Sequence, residues 1–161
     1  MHIFILIIIV VGCSYLGYGI SNYYKNRQKF YKDFLNFLEI CEVQITFYHN
    51  KLDTIFDNFL KDNHCSADFA KFLQKVKTQF NNQSTIKVEG IVINTEEQKL
   101  LSNFFNNLGK TNSQNQKEII EFNKAQFKTI ASECESKAQK NAPLATKLGF
   151  LLGLAIAICL Y

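Results

Sequence analysis

Every lysine, arginine, aspartate and glutamate of this 161-residue chain lies between Lys25 and Lys147. The two ends that enclose this charged stretch are apolar. Residues 3–20 reach the roughly 18 uncharged residues that mark a transmembrane candidate, and residues 148–161 form a second apolar run. Because a charged side chain is costly in hydrocarbon, this partition is what two membrane segments around one polar domain produce. It predicts an N-terminal anchor at 1–21, a domain at 22–141 and a C-terminal anchor at 142–161.

Each apolar end has a second interpretation. Residues 148–161 cover only about 21 Å as a helix, so a span must begin near Ala142 with Lys147 snorkelling, and a run this short is also typical of a buried core helix. Residues 3–20 resemble a removable signal, and Val10-Val11-Gly12-Cys13 resembles a lipoprotein processing box. However, no lysine or arginine precedes this run, and the apolar sequence continues past Cys13. An uncleaved anchor is therefore favoured.

Basic residues are concentrated where the first apolar segment ends. Lys25, Arg27 and Lys29 follow that segment closely, and Lys147 stands at the start of the second one. Because the cytoplasmic flanks of membrane segments are enriched in lysine and arginine, these four residues are predicted positive-inside anchors. They place the middle domain in the cytoplasm and the protein in the cell membrane.

The middle of the chain has the apolar periodicity of helices. Large apolar side chains recur at steps of three and four residues, which is the pattern of a helix with one buried face. We therefore predict an all-α fold, an antiparallel bundle of about five helices flanked by N- and C-terminal transmembrane helices. The last helix is predicted to bury Ile119, Phe122, Phe127, Ile130, Cys134 and Ala138, and the one before it Leu100, Leu101, Phe104, Phe105 and Leu108.

Local signals predict where helices begin and end. Residues 81–94 are rich in β-branched side chains and predict a loop or a short extended piece. Pro143, the single proline, is predicted to kink or restart the last helix at the membrane surface. The predicted caps are Ser66 as an N-cap, Thr95 with Gln98 as a capping box, Gly109 at a C′ position, and Asn112 or Ser113 as the next N-cap with Gln116 completing a box with Ser113.

No arrangement of residues indicates catalysis. The net charge is +4 with acids and bases mixed, so there is no basic stripe for nucleic acid. The five cysteines are scattered without a C-x-x-C pair, which indicates neither a disulfide framework nor a zinc site. His64 and Cys65 would need distant partners to bind a metal, and no glycine-rich phosphate loop occurs. We expect no catalytic residue, no metal and no cofactor.

The Gly149-x-x-x-Gly153 pair in the C-terminal anchor points to assembly. Glycines four residues apart let two helices approach closely in lipid, where packing replaces hydrophobic drive. Such pairs also arise by chance, on a helix that touches lipid alone. We interpret Gly149 and Gly153 as a membrane helix-packing motif, which makes a homo-oligomer or a lateral contact with other membrane subunits the expected consequence.

Several motifs together resemble one family. Leu108-Gly109-Lys110 with Asn112 and Gln116 forms a helix-turn motif, Lys147-Leu-Gly-Phe-Leu-Leu-Gly-Leu154 lies near the end, and the first half contains Leu16-Gly17-Tyr18 and Glu42-x-x-Ile45-x-Phe47-Tyr48-His49. In this order the motifs resemble the stage III sporulation protein AB family of endospore-forming bacteria over nearly the whole chain. The chain departs from the family at Asn112, where an acidic residue is usual, and at residues 81–94, which look shorter and less helical.

The resemblance implies a non-enzymatic platform subunit of a secretion-like or channel-like complex between mother cell and forespore, anchored in the mother-cell membrane. Its helical domain would be similar to the cytoplasmic domains of type II secretion system platform protein F. Its partners would be a secretion-type ATPase and the other membrane subunits of the complex. The alternative is an outward-facing sensor or adaptor domain, held by a membrane anchor or as a lipoprotein.

Overall fold

A computed structural model describes residues 2–48, 51–61, 65–88, 93–110 and 113–160. Within those ranges the chain forms five α-helices and no β-strand, which confirms the all-α prediction. Three residues named above, His49, His64 and Asn112, lie outside the described residues. The helices are α1 (His2–Thr46), α2 (Leu52–Lys61), α3 (Ala67–Asn81), α4 (Thr95–Asn107) and α5 (Ser113–Cys159).

The first and last helices are long because each apolar end continues into a helix of the domain. Both α1 and α5 are long and apolar enough to cross a membrane. In their most apolar stretches only 11% and 17% of the residues are buried. A core helix of a soluble protein would be mostly buried, so this exposure disfavours the core-helix interpretation of the C-terminal segment.

Pro143 lies inside α5, so the helix does not restart there. Proline has no N–H, and the carbonyl of Gln139 four residues earlier therefore lacks its usual backbone donor. The Thr146 hydroxyl donates to the carbonyl oxygen of Ala142 at 3.3 Å on the following turn. Pro143 therefore removes one backbone hydrogen bond from a 47-residue helix, and the helix continues on both sides of it.

The described chain divides into two compact units. The paired-helix unit consists of Met1–Gln28 and Ser132–Tyr161, and the domain unit consists of Lys29–Ala131. The predicted membrane boundaries at residues 21 and 142 fall inside the paired-helix unit. Pairing of α1 with α5 thus extends beyond the predicted anchors, whose boundaries stay a prediction.

The core of the domain unit is aromatic. The ring of Phe34 on α1 lies 4.7 Å from that of Phe127 on α5 and 5.8 Å from that of Phe104 on α4, both edge-on. Burying such a side chain stabilises the fold by roughly 1.5–3 kcal/mol, and an aromatic pair adds about 0.5–1.5 kcal/mol. Further buried rings come from α1, α2 and α3: Phe30, Tyr31, Phe37, Phe56, Phe59, Phe69 and Phe72.

Ser66 precedes α3 as predicted, but its side chain does not cap the helix. The backbone N–H and the hydroxyl of Ser66 both donate to one carboxylate oxygen of Asp33 on α1, at 2.8 and 2.6 Å. The start of α3 is therefore held by a side chain from another helix.

The predicted capping box of α4 is displaced by one residue. Asn94 is the N-cap and Glu97 completes the box, while Thr95 is already the first helical residue. The Gln98 side chain instead donates to the carbonyl oxygen of Ile93 at 3.1 Å. Asparagine and threonine both cap well, so the sequence alone left this choice open.

The part of the segment before α4 that the structure describes is a loop, in agreement with the sequence. Residues 84–88 form neither helix nor strand, and the side chains of Ile86 and Val88 are buried. The Asn106 side chain accepts from the Ile86 N–H at 2.8 Å and donates to the Ile86 carbonyl at 3.0 Å. The Ser102 hydroxyl accepts from the Val88 N–H at 3.1 Å. Side chains of α4 thus supply the partners that a neighbouring strand would supply.

Candidate functional site

An open groove runs between α4 and α5 in the domain unit. It has a volume of about 760 Å³. Phe104 forms its buried floor, whereas Phe122 and Leu100 are 66% and 36% exposed. Amide side chains surround this apolar centre. The residues that define the α4–α5 groove are Leu100, Asn103, Phe104, Asn107, Lys110, Asn115, Glu118, Ile119, Phe122, Asn123 and Gln126.

Phe122 corrects the sequence prediction, which placed it in the buried face of α5. At about 100° per residue, Phe122 lies roughly 140° around the helix from the buried Phe127. The buried face of α5 in this unit is formed by Gln116, Ile120 and Phe127. A helical wheel anchored on Phe127 would have revealed the mismatch, since Phe122 falls on the opposite side.

The chemistry of the groove suits a protein surface better than a reacting substrate. Its only charged residues are Lys110 and Glu118, and its polar remainder is made of neutral amides. A large exposed aromatic ring with polar neighbours is typical of protein–protein contacts. Among the described residues, no group of three or more histidine, cysteine, aspartate or glutamate side chains lies close enough to hold a metal ion.

The helix-turn motif closes α4. Leu108 is the C-cap, and Gly109 has a φ of +84°, as its predicted C′ position requires. A Cβ at Gly109 would lie 2.6 Å from a methyl carbon of Leu52, so a larger residue there would also have to displace that side chain. The buried Gln116 accepts from the Gly109 N–H at 3.0 Å, which ties α5 to the turn. Asn112 lies outside the described residues.

The two glycines of the C-terminal anchor lie against α1 of the same chain. A Cβ added at Gly149 would be 2.8 Å from the Cα of Gly17, and one at Gly153 would be 2.9 Å from the Cα of Val10. As residue numbers rise along α5 they fall along α1, so the two segments are antiparallel. Gly17, which the sequence names only within the Leu16-Gly17-Tyr18 motif and not as a packing residue, is the third glycine of this contact. Packing between neighbouring subunits stays a prediction.

The predicted positive-inside anchors lie on both long helices. Lys25, Lys29 and Lys147 are exposed, and Arg27 is half-buried. The first three basic residues occupy α1 just after its charge-free stretch, and Lys147 lies on α5 just before the other. Their role in orientation is a prediction from charge alone.

The thiols of the domain unit are poorly suited to nucleophilic chemistry. Burial raises the pKa of the Cys41 thiol far above its ordinary value. Burial, together with the nearby charge of Asp33, also raises the pKa of the Cys65 thiol. Because the thiolate is the reactive form, both shifts lower reactivity at neutral pH.

Comparison with known proteins decides the family. The sequence profile described as Stage III sporulation protein AB matches residues 2–161. The chain belongs to the stage III sporulation protein AB family. This is a family of sporulation proteins and not a known enzyme family. Neither a curated protein nor a solved structure matches the chain. With two helices able to span a bilayer, family membership indicates a membrane protein.

Proposed function

We propose that this protein is a non-enzymatic platform subunit of a sporulation complex between mother cell and forespore. It is anchored in the mother-cell membrane by α1 and α5 and presents the domain unit in the cytoplasm to a secretion-type ATPase. The observation that carries the proposal is the α4–α5 groove, where Phe122 is two-thirds exposed on a domain whose other large rings are mostly buried. An exposed aromatic anchor of this kind is typical of a binding hot spot.

The test of the groove is binding of the full-length protein to the secretion-type ATPase of the same sporulation complex. Phe122→Asp should weaken binding at least roughly tenfold, because a buried aromatic anchor contributes about 2 kcal/mol or more at an interface. Phe47→Asp is the matched control, since Phe47 is 75% exposed and does not line the groove. Binding that survives Phe122→Asp and is lost in Phe47→Asp would move the contact to the end of α1. No binding by the wild-type protein would contradict the ATPase assignment.

Orientation is tested by labelling a single cysteine in intact cells. Ser84 is exposed in the domain unit, so Ser84→Cys in a variant without the native cysteines gives an accessible probe. The proposal expects labelling by an impermeant maleimide only after the membrane is opened. Labelling in intact cells would favour the outward-facing sensor or adaptor instead. The close contact of Val10 with Gly153 on α5 supports the uncleaved anchor, because lipoprotein processing cleaves before Cys13 and would remove Val10.

Lateral packing of subunits is the second part of the proposal. A cysteine at position 153 would place its Cβ 3.2 Å from the Cβ of Cys13. This is a little less than the roughly 3.5–4.5 Å usual in a disulfide, so a small separation of the two helices at this point lets the bond form. Gly153→Cys, with Cys13 as the only other cysteine, therefore distinguishes two arrangements. A disulfide within one chain means that the glycines join α1 and α5, so that neighbours meet through the exposed faces. Covalent dimers mean that the glycine face lies between subunits.

A further inference from the structure

The paired-helix unit contains a cleft that neither the family nor the proposed platform role accounts for. It lies between α1 and α5 and has a volume of about 530 Å³, within the roughly 300–1,000 Å³ of small-molecule sites. We call it the headgroup cleft and define it by Ser21, Lys25, Gln28, Gln139, Ala142 and Lys147. Both helices contribute to it, so it exists only when they are paired.

The cleft exists because its floor is made of small residues. Ser21 and Ala142 are 2% and 0% exposed, so the two backbones lie close together there. Longer side chains stand on either side, with one lysine and one glutamine from α1 and the same pair of residue types from α5. The result is a recess with a tight floor and hydrogen-bond donors on both walls.

The charge of the cleft is uncompensated. Lys25 and Lys147 are both exposed, and neither forms an ion pair with a carboxylate among the described residues. The side-chain carboxylates of the unit are Glu133 and Glu135, which precede Ala142 on α5 by about two turns, and Glu133 already pairs with Lys137 at 3.4 Å. Two ammonium groups that line the same cleft repel each other, and an anion bound between them would offset this repulsion.

The place of the two lysines identifies the anion. Lys25 is the first charged residue after one charge-free stretch and Lys147 is the last before the other. The ammonium groups of both therefore reach the level where hydrocarbon gives way to headgroups, that of Lys147 by snorkelling. Basic pockets between membrane helices on the cytoplasmic side bind anionic headgroups. We infer that the headgroup cleft binds the phosphate of an anionic phospholipid through Lys25 and Lys147. The inference rests on membrane insertion of both helices and not on the ATPase.

The test uses the full chain in nanodiscs made of equal parts phosphatidylcholine and phosphatidylglycerol. The protein is released from the nanodiscs, and native mass spectrometry then counts the molecules of each lipid that stay bound to it. The wild-type protein should retain phosphatidylglycerol in preference. Lys25→Gln with Lys147→Gln should lower that preference about tenfold or more, because each lysine near an anionic surface contributes roughly a fivefold factor. Arginine at both positions should restore it.

The matched control removes the same charge outside the cleft. Lys71 and Lys75 are exposed on α3 of the domain unit, and neither lines the cleft. Replacing both with glutamine should change the preference less than about threefold. Equal losses in the two double variants, or no loss in either, would overturn the inference. Inorganic phosphate is the probe for a free anion. If it displaces the lipid and raises the melting temperature of the protein as much as phosphatidylglycerol does, the lipid assignment is overturned in favour of a free anion.

Discussion

The domain unit and the paired-helix unit join parts of the same two helices by opposite means. In the domain unit, α1 meets α5 through large rings such as Phe34 and Phe127. In the paired-helix unit, the same helices meet through Gly17 and Gly149, where no side chain separates the backbones. A large apolar side chain stabilises a fold by leaving water, and this drive is absent in lipid, where close packing remains. The size of the residues at the contact thus indicates the solvent of each unit.

The largest expected effect tests the aromatic half of this comparison. Phe34→Ala should destabilise the domain unit by about 3–5 kcal/mol, because it removes a fully buried ring and leaves a cavity. Urea unfolding of the full chain in detergent, followed by circular dichroism, measures the loss. Phe122→Ala is the control, and its exposed ring should cost less than about 0.5 kcal/mol. Equal losses would mean that the aromatic core is not what stabilises the unit.

The next effect tests the glycine half. Gly149→Leu should destabilise the pairing of α1 with α5 by about 1–3 kcal/mol, since a new side chain has no room there. Yield of the disulfide between Cys13 and a cysteine at position 153 measures the pairing. A Cβ at Gly12 has no atom within 4 Å, so Gly12→Leu adds the same side chain without a clash. A fall in yield for both variants would assign the effect to insertion and not to packing.

Charge partition and apolar periodicity were enough to predict the architecture. The two uncharged ends predicted helical terminal anchors, and the steps of three and four residues predicted the helical domain between them. The unbroken passage of α5 through Pro143 was not predicted. Both signals are local in sequence and act through burial or membrane transfer, which depend on residue type alone. Gly109 was predictable for a similar reason, because a helix end with positive φ favours glycine wherever it lies.

Which residues contact each other within the fold was not predictable, because the two sides of each contact come from distant parts of the chain. The Gly149 and Gly153 spacing indicated a close helix contact, but not that Gly17 of the same chain lies opposite. The three-residue step from Ile119 predicts a shared face for Phe122, but the buried face of α5 is set by Phe127, about 140° away around the helix. The two hydrogen bonds between the Asn106 side chain and the Ile86 backbone, which we call the Asn106 clamp, join residues 20 positions apart. No local sequence pattern predicts them.

The third prediction tests whether the Asn106 clamp, and not only the aromatic core, contributes to the stability of the domain unit. Asn106→Ala leaves the N–H and the carbonyl of Ile86 without their side-chain partner, and should cost about 1–2 kcal/mol. Asn103→Ala is the control, because Asn103 is exposed on the rim of the α4–α5 groove. Hydrogen exchange of the Ile86 amide should speed up in the first variant only. Unchanged exchange would show that burial of Ile86 and Val88 holds the segment by itself.

The smallest effect tests surface charge in the domain unit. Lys77 donates a hydrogen bond of 2.6 Å to Asp57, which lowers the pKa of that carboxyl below its ordinary value. A carboxyl with a lowered pKa stabilises the fold above its unfolded pKa of about 4, and this contribution is lost as the pH falls through the folded value. Asp57→Asn should therefore lower the melting temperature slightly at pH 6 and less at pH 3. Glu121→Gln serves as the control, because it also removes one carboxylate charge from an exposed ion pair, that of Glu121 with Lys117 at 3.6 Å. If Asp57→Asn costs as much at pH 3 as at pH 6, the carboxylate charge is not the cause, and the domain unit relies on its rings and the Asn106 clamp.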